Sequence, residues 1–143
     1  MVTETSVVTP AGLRGGCVCG AVEFVVADAF RYAGYCHCSR CRRRTGSAFS
    51  AFAGIGSELL EVVTGAEHLL RVGDGPEACS FFCRRCHCPL YHLFAPRQLI
   101  HVQLGALRDS PSKKPDQHIF VGSKAPWFEI TDSLTQWPEL PEG

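Results

Sequence analysis

A chain of 143 residues has room for one compact domain and little more. Its 14 lysines and arginines balance 14 aspartates and glutamates, so no global field steers it to nucleic acid or an anionic membrane, and any anion preference must be local. Nine cysteines are many for such a domain, and no basic start and long apolar run opens the chain, so the expected location is cytoplasmic and metal, not disulfide, explains the sulfur.

Along the chain, the first sulfurs come in a glycine-flanked turn, Gly15-Gly16-Cys17-Val18-Cys19-Gly20. Residues 21–26 are β-branched and aromatic, too short for a stable helix, and read as a strand. Cys36-His37-Cys38-Ser39-Arg40-Cys41 follows, then one helical turn from Ser39 to Thr45, with Ser39 as its cap and Gly46 as its end. Runs at 48–53, 60–63 and 68–72 alternate as strands do, broken by turns at Gly65 and at Gly73-Asp74-Gly75-Pro76. Cys79 sits in a further strand pattern with Ser80-Phe81-Phe82, as a buried core thiol. Cys83-Arg84-Arg85-Cys86-His87-Cys88 gives the third sulfur turn, and strands are expected again at 90–94, 100–104 and 118–121. Residues 109–116 read as an exposed, mobile loop, and residues 138–143 as a frayed tail. The fold class is therefore mainly β, in a single domain.

Zinc asks for thiolates at about 2.3 Å in a tetrahedron, and a two-residue gap between cysteines lets both sulfurs reach one ion without strain. Two such paired elements in one chain are a strong signal. Spacing alone leaves the ligand sets open, since clusters of two, three and three cysteines divide between two ions in more than one way.

In their order, Gly15 to Gly20, Cys36-His37-Cys38-Ser39-Arg40-Cys41-Arg42 with Thr45-Gly46, Phe82-Cys83-Arg84-Arg85-Cys86, and His118-Ile119-Phe120 with Ser123-Lys124-Ala125-Pro126-Trp127 resemble the glutathione-dependent formaldehyde-activating enzyme family, which includes the centromere protein V type of domain. The likeness spans residues 13–132, leaving 1–12 and 133–143 as terminal extensions. It implies a zinc-bound, Mss4-like β architecture holding two zinc ions. Cys17, Cys19, Cys83 and Cys86 would surround a closed structural zinc. Cys36, Cys38 and Cys41 would hold a second zinc with one position open to substrate. The activity implied is that of a carbon–sulfur lyase, forming and breaking S-(hydroxymethyl)glutathione from a small thiol such as glutathione and an aldehyde. The alternative is a noncatalytic zinc module for binding a ligand, protein or nucleic acid, because one fold hosts many functions.

Arg40, Arg42, Arg43 and Arg44 crowd the second cluster, and Arg42 is the candidate contact for a glutathione carboxylate; the plain alternative is a solvated basic turn. His37, His87, His92, His101 and His118 read as packed or hydrogen-bonded residues more readily than as ligands. Trp127 and Phe128 line a pocket or pack in the core. The chain departs from the family after Cys86, where a glycine and a serine or threonine are usual and His87 and Cys88 stand instead. Cys88 could close the second zinc site as a fourth ligand, act as a redox-sensitive thiol, or simply hydrogen-bond locally, which is the reading favoured.

Overall fold

The computed structural model describes residues 12–75 and 78–141; Pro76 of the expected turn, nearly all of the 1–12 extension and the last two residues lie outside the described residues. In chain order come β1 (Gly12–Gly16), β2 (Glu23–Ala27), β3 (Tyr32–Cys36), α1 (Ser39–Thr45), β4 (Ser50–Gly56) and β5 (Leu60–Thr64). Then follow β6 (Leu69–Gly75), β7 (Ala78–Cys83), β8 (Pro89–Phe94), β9 (Leu99–Gln103), β10 (Gln117–Ile119) and β11 (Thr135–Gln136). The fold is mainly β and forms a single domain, and none of its described helices is long and apolar enough to cross a membrane.

Two sheets share the strands. The smaller is antiparallel with the order β1-β2-β5, and the larger runs β11-β10-β3-β4-β9-β8-β7-β6. Period-2 alternation places Phe24 and Val26 of β2 inward, where they meet Ile55, Leu90 and Val102 of the large sheet. Phe24 stands edge-on to Tyr91 at 6.3 Å between ring centres. Fully burying each of these side chains is worth roughly 1.5–3 kcal/mol. Strand β4 lies between β3 and β9, and its small residues suit a strand covered on both faces. Gly54 in β4 faces Tyr32 across the ladder, and a Cβ there would collide with the Tyr32 ring. The glycine thus lets that ring lie flat against the sheet. A smaller cluster of Cys36, Phe52 and Ile119 forms a second, separate core, with Trp137 packed on it.

Helix α1 covers the residues expected, and Gly46 ends it in the left-handed region at φ 65, donating its N–H to Arg42 O at 2.8 Å. Its cap differs from expectation. Cys38, not Ser39, has the extended cap conformation, and its sulfur accepts the N–H of Cys41 at 3.3 Å. A sulfur held in a thiol cluster is already fixed in place, whereas Ser39 begins the helix itself. Strands β1 and β3 were missed because GLRGG and YAGYC carry glycines in place of alternation.

The 109–116 loop is exposed but tied down. Asp109 accepts from Arg14 Nη2 at 2.9 Å and from Nε at 3.0 Å, and Ser112 Oγ donates to Asp28 at 2.6 Å. The start of the segment expected to fray is tied as well, through Pro138 and Glu139. Phe120 N–H donates to Glu139 O at 2.9 Å and Val121 N–H to Trp137 O at 3.0 Å, while β11 adds a parallel strand beside β10. Isolated polar segments look free in a sequence because their partners lie far along the chain.

Candidate metal centres

Cys17 directly follows β1 and Cys83 ends β7, so the first sulfur group joins the small sheet to the large one. Cys19 and Cys86 come from the turns that follow. Gly20 supports the first turn at φ 81. All four sulfurs lie within 4.8 Å of one another, with Cys17 to Cys19 at 3.6 Å and Cys19 to Cys83 at 3.7 Å. A disulfide needs about 2.0 Å, whereas the edge of a tetrahedron with zinc–sulfur bonds of about 2.3 Å is about 3.8 Å. The donor set therefore fits zinc. Backbone N–H groups aim at the same sulfurs: Val22 at Cys17 (3.3 Å), and Arg85 and Cys86 at Cys83 (3.3 and 3.5 Å). Burial works against ionising Cys86, but the N–H groups of Cys19 and Cys88 and neighbouring thiols outweigh it and bring the thiol down to about 6.

The second group is Cys36 at the end of β3, Cys38 at the helix cap and Cys41 in α1, again within 4.8 Å of one another. Among the described residues no fourth His, Cys, Asp or Glu joins it. Three adjacent thiols cannot all ionise without a cation among them. Cys38 accepts hydrogen bonds from Cys36 and then Cys41 and is held far below the usual thiol range. Cys36 is raised to about 11, first by its bond to Cys38, and Cys41 is driven up by its bonds to Cys36 and Cys38. A dication would replace those shared protons, so this donor set also fits zinc.

Beside the three sulfurs opens a cavity of about 340 Å³. Arg40 and Arg44 line it from the helix side, and His92, His101 and Gln103 from the sheet. Register explains the histidines, since His92 and His101 are direct partners across β8 and β9. His101 Nε2 lies 2.7 Å from the Tyr32 hydroxyl, and its ring is stacked on Phe52 at 4.8 Å and 22°. Burial, then His92 and Arg97, lower His101 to about 4, so it is neutral at pH 7. His92 Nδ1 is 2.7 Å from Ser80 Oγ. A larger groove of about 710 Å³ adjoins the cavity, with Phe52, Phe94, His101, Ile119 and Leu140 common to both.

Of the residues singled out from sequence, all seven cysteines fall into the two groups named for them. Arg42 does not line the cavity, and its Nε is buried without a hydrogen-bond partner. The basic run also suits the end of α1, where cations complement the helix dipole. Cys88 belongs to neither sulfur group; its thiol donates to Pro89 O at 3.6 Å, and its carbonyl accepts the N–H of Cys83 at 3.0 Å. The second centre is not closed by it. His87 has φ 64, the conformation for which glycine is the default residue. Cys79 is buried at 1% exposure, while Trp127, 72% exposed, and Phe128, packed on Phe49, line a separate open pocket beside Lys124 and Glu129. Tyr32, and the cavity-lining Ser50, whose hydroxyl donates to Gln103 Oε1 at 3.2 Å, belong to no short motif that would single them out.

The family described as glutathione-dependent formaldehyde-activating enzyme matches residues 12–123. A Halomonas elongata protein bearing that name provisionally is 34% identical over 127 residues, covering 82% of this chain and 80% of its own length. A crystal structure of a Rhodobacter sphaeroides protein superposes with a TM-score of 0.58 at 32% identity, over 70% of this chain and 92% of that one. The chain belongs to the glutathione-dependent formaldehyde-activating enzyme family.

Proposed function

We propose that the chain is a zinc-dependent carbon–sulfur lyase that forms and breaks the adduct of formaldehyde with glutathione or a similar thiol, with residues 13–132 as the family's domain and β11 and Trp137 packed onto it. The observation that carries this reading is the asymmetry of the sulfur groups: one is complete, and the other has three ligands beside a cavity. Bound at Cys36, Cys38 and Cys41, zinc would offer a fourth position at which a substrate sulfur is stable as thiolate. Cys17, Cys19, Cys83 and Cys86 would hold a second ion with a purely structural part.

The side chains around the cavity divide the remaining work. Arg40 and Arg44 present guanidinium groups to the two carboxylates of the tripeptide, the part expected of Arg42. Neutral His101, oriented by Tyr32, offers a hydrogen bond to the aldehyde oxygen. As the sulfur lone pair forms the C–S bond, the C=O π pair moves to oxygen, which gains a proton supplied by solvent through this pair. In reverse the hydroxyl loses that proton, C=O reforms and the bonding pair returns to sulfur.

Thiols add to formaldehyde unaided, so adduct formation proves nothing without a rate. Zinc per chain is measured first, then exchange NMR follows formation and breakdown with the native protein, Cys36→Ser and the metal-free protein. Acceleration over buffer is expected only with the native protein. Full zinc loading without acceleration for any of several thiols and aldehydes would sink the enzyme and leave a noncatalytic zinc domain.

A further inference from the structure

His37 lies between two ligands of the second centre, is fully buried and takes no part in the chemistry proposed above. Its Nε2 is 2.8 Å from His118 Nδ1, and His118 Nε2 is 3.1 Å from both carboxylate oxygens of Asp132. The carboxylate fixes the hydrogens along this chain. Asp132 only accepts, so His118 donates to it from Nε2, and with Nε2 as its donor the ring accepts at Nδ1. His37 must then donate from Nε2, which leaves Nδ1 as a bare lone pair. That nitrogen is indeed buried with no partner.

The backbone is held by the same strand. His37 N–H donates to Ile119 O at 3.0 Å, and β10 pairs in parallel with β3, placing His118 beside Tyr35 and Ile119 beside Cys36. The residue between Cys36 and Cys38 is thus pinned at main chain and ring, and the pin ends on a carboxylate whose side chain is 45% exposed. Leu134 N–H holds that carboxylate in turn at 3.0 Å. Backbone N–H groups hold sulfurs in both groups, those of Val22, Arg85 and Cys86 in the four-sulfur group and that of Cys41 on Cys38 here, so the imidazole chain is what sets this turn apart.

We propose that Asp132 and His118 are positioning residues for the three-cysteine centre, holding the Cys36-His37-Cys38 turn at ligand spacing through a carboxylate–imidazole–imidazole chain. This rests on the metal reading of the three cysteines and not on the reaction. The test uses the full chain loaded with zinc, titrated with a chelator, and cadmium-113 NMR of the cadmium form to tell the two centres apart. Asp132→Ala should release one of two metals about 10- to 100-fold more readily, the usual cost of losing an outer partner, with the melting temperature nearly unchanged. Asp132→Asn, whose amide oxygen can accept the same hydrogen bond, should restore most of the retention. Two zincs held as tightly in Asp132→Ala as in the native chain would overturn the proposal alone, as would equal weakening of both centres or no recovery in Asp132→Asn. A native chain that binds one zinc would overturn the metal reading together with it.

Discussion

The two sulfur groups use the same side chain for opposite ends. In the first, Cys17 and Cys83 are part of the main core, and the ligands come from two different sheets. In the second, all three ligands come from six consecutive residues at one strand end and one helix start, against the smaller core. On the zinc reading proposed above, losing the first ion would untie two sheets, whereas losing the second would free only a local turn. On that reading, ligand count and location, more than ligand chemistry, would decide which centre is structural and which has a face for substrate.

The harshest way to break this contrast is Cys83→Ser. Apparent zinc binding energies of roughly 10–16 kcal/mol exceed the roughly 5–15 kcal/mol net stability of a domain, so this variant should fail to fold cooperatively and lose its zinc. Calorimetry with zinc analysis checks it, and a retained melting transition at full zinc content would remove the structural assignment. Cys36→Ser should behave differently, keeping the fold and one zinc per chain while the acceleration of adduct exchange falls to the buffer rate. If it unfolds as Cys83→Ser does, the two centres are not distinct in kind.

His101 sharpens the contrast from the substrate side. Its replacement by glutamine should slow catalysed exchange by about 10²-fold, or about 2.7 kcal/mol, without altering zinc content. The same variant tests a pH dependence. His101 is held near 4 in the fold against about 6.5 when unfolded, so between those values only the unfolded chain binds the proton. Stability from this group is complete above pH 6.5 and falls as pH drops toward 4. His101→Gln should flatten that part of the denaturant-midpoint curve, and an unchanged slope would show that the imidazole does not stay neutral. The smallest effect belongs to His87→Gly. Relief of the φ 64 conformation, offset by the greater freedom of glycine when unfolded, should add less than about 1 kcal/mol and raise melting by a few degrees.

The first centre was legible because its two short turns carry ligand spacing in plain view, and the ordered likeness to a family resolved the pairing that spacing left open. The cavity was not. His92 and His101 meet only through strand register, Tyr32 reaches His101 across 69 positions of sequence, and His37 finds His118 across 81. Arg42 drew attention because it sits next to a ligand, yet adjacency on a helix does not determine which face meets a cavity. The cap was misread for a related reason, since Ser39 is the common capping type and nothing local says that a clustered sulfur would take its place.

The first centre also imposes a timetable on biosynthesis. Cys19 and Cys83 are separated by 64 positions, so a growing chain carries two thiols of the site long before their partners exist. At about 5–20 residues per second that interval lasts roughly 3–13 s. During it the early pair can hold zinc only loosely or meet an oxidant instead. If zinc fills this centre as proposed, the cell's supply of exchangeable zinc, and its reducing power, would therefore decide what fraction of newly made chains ever closes the staple between the sheets.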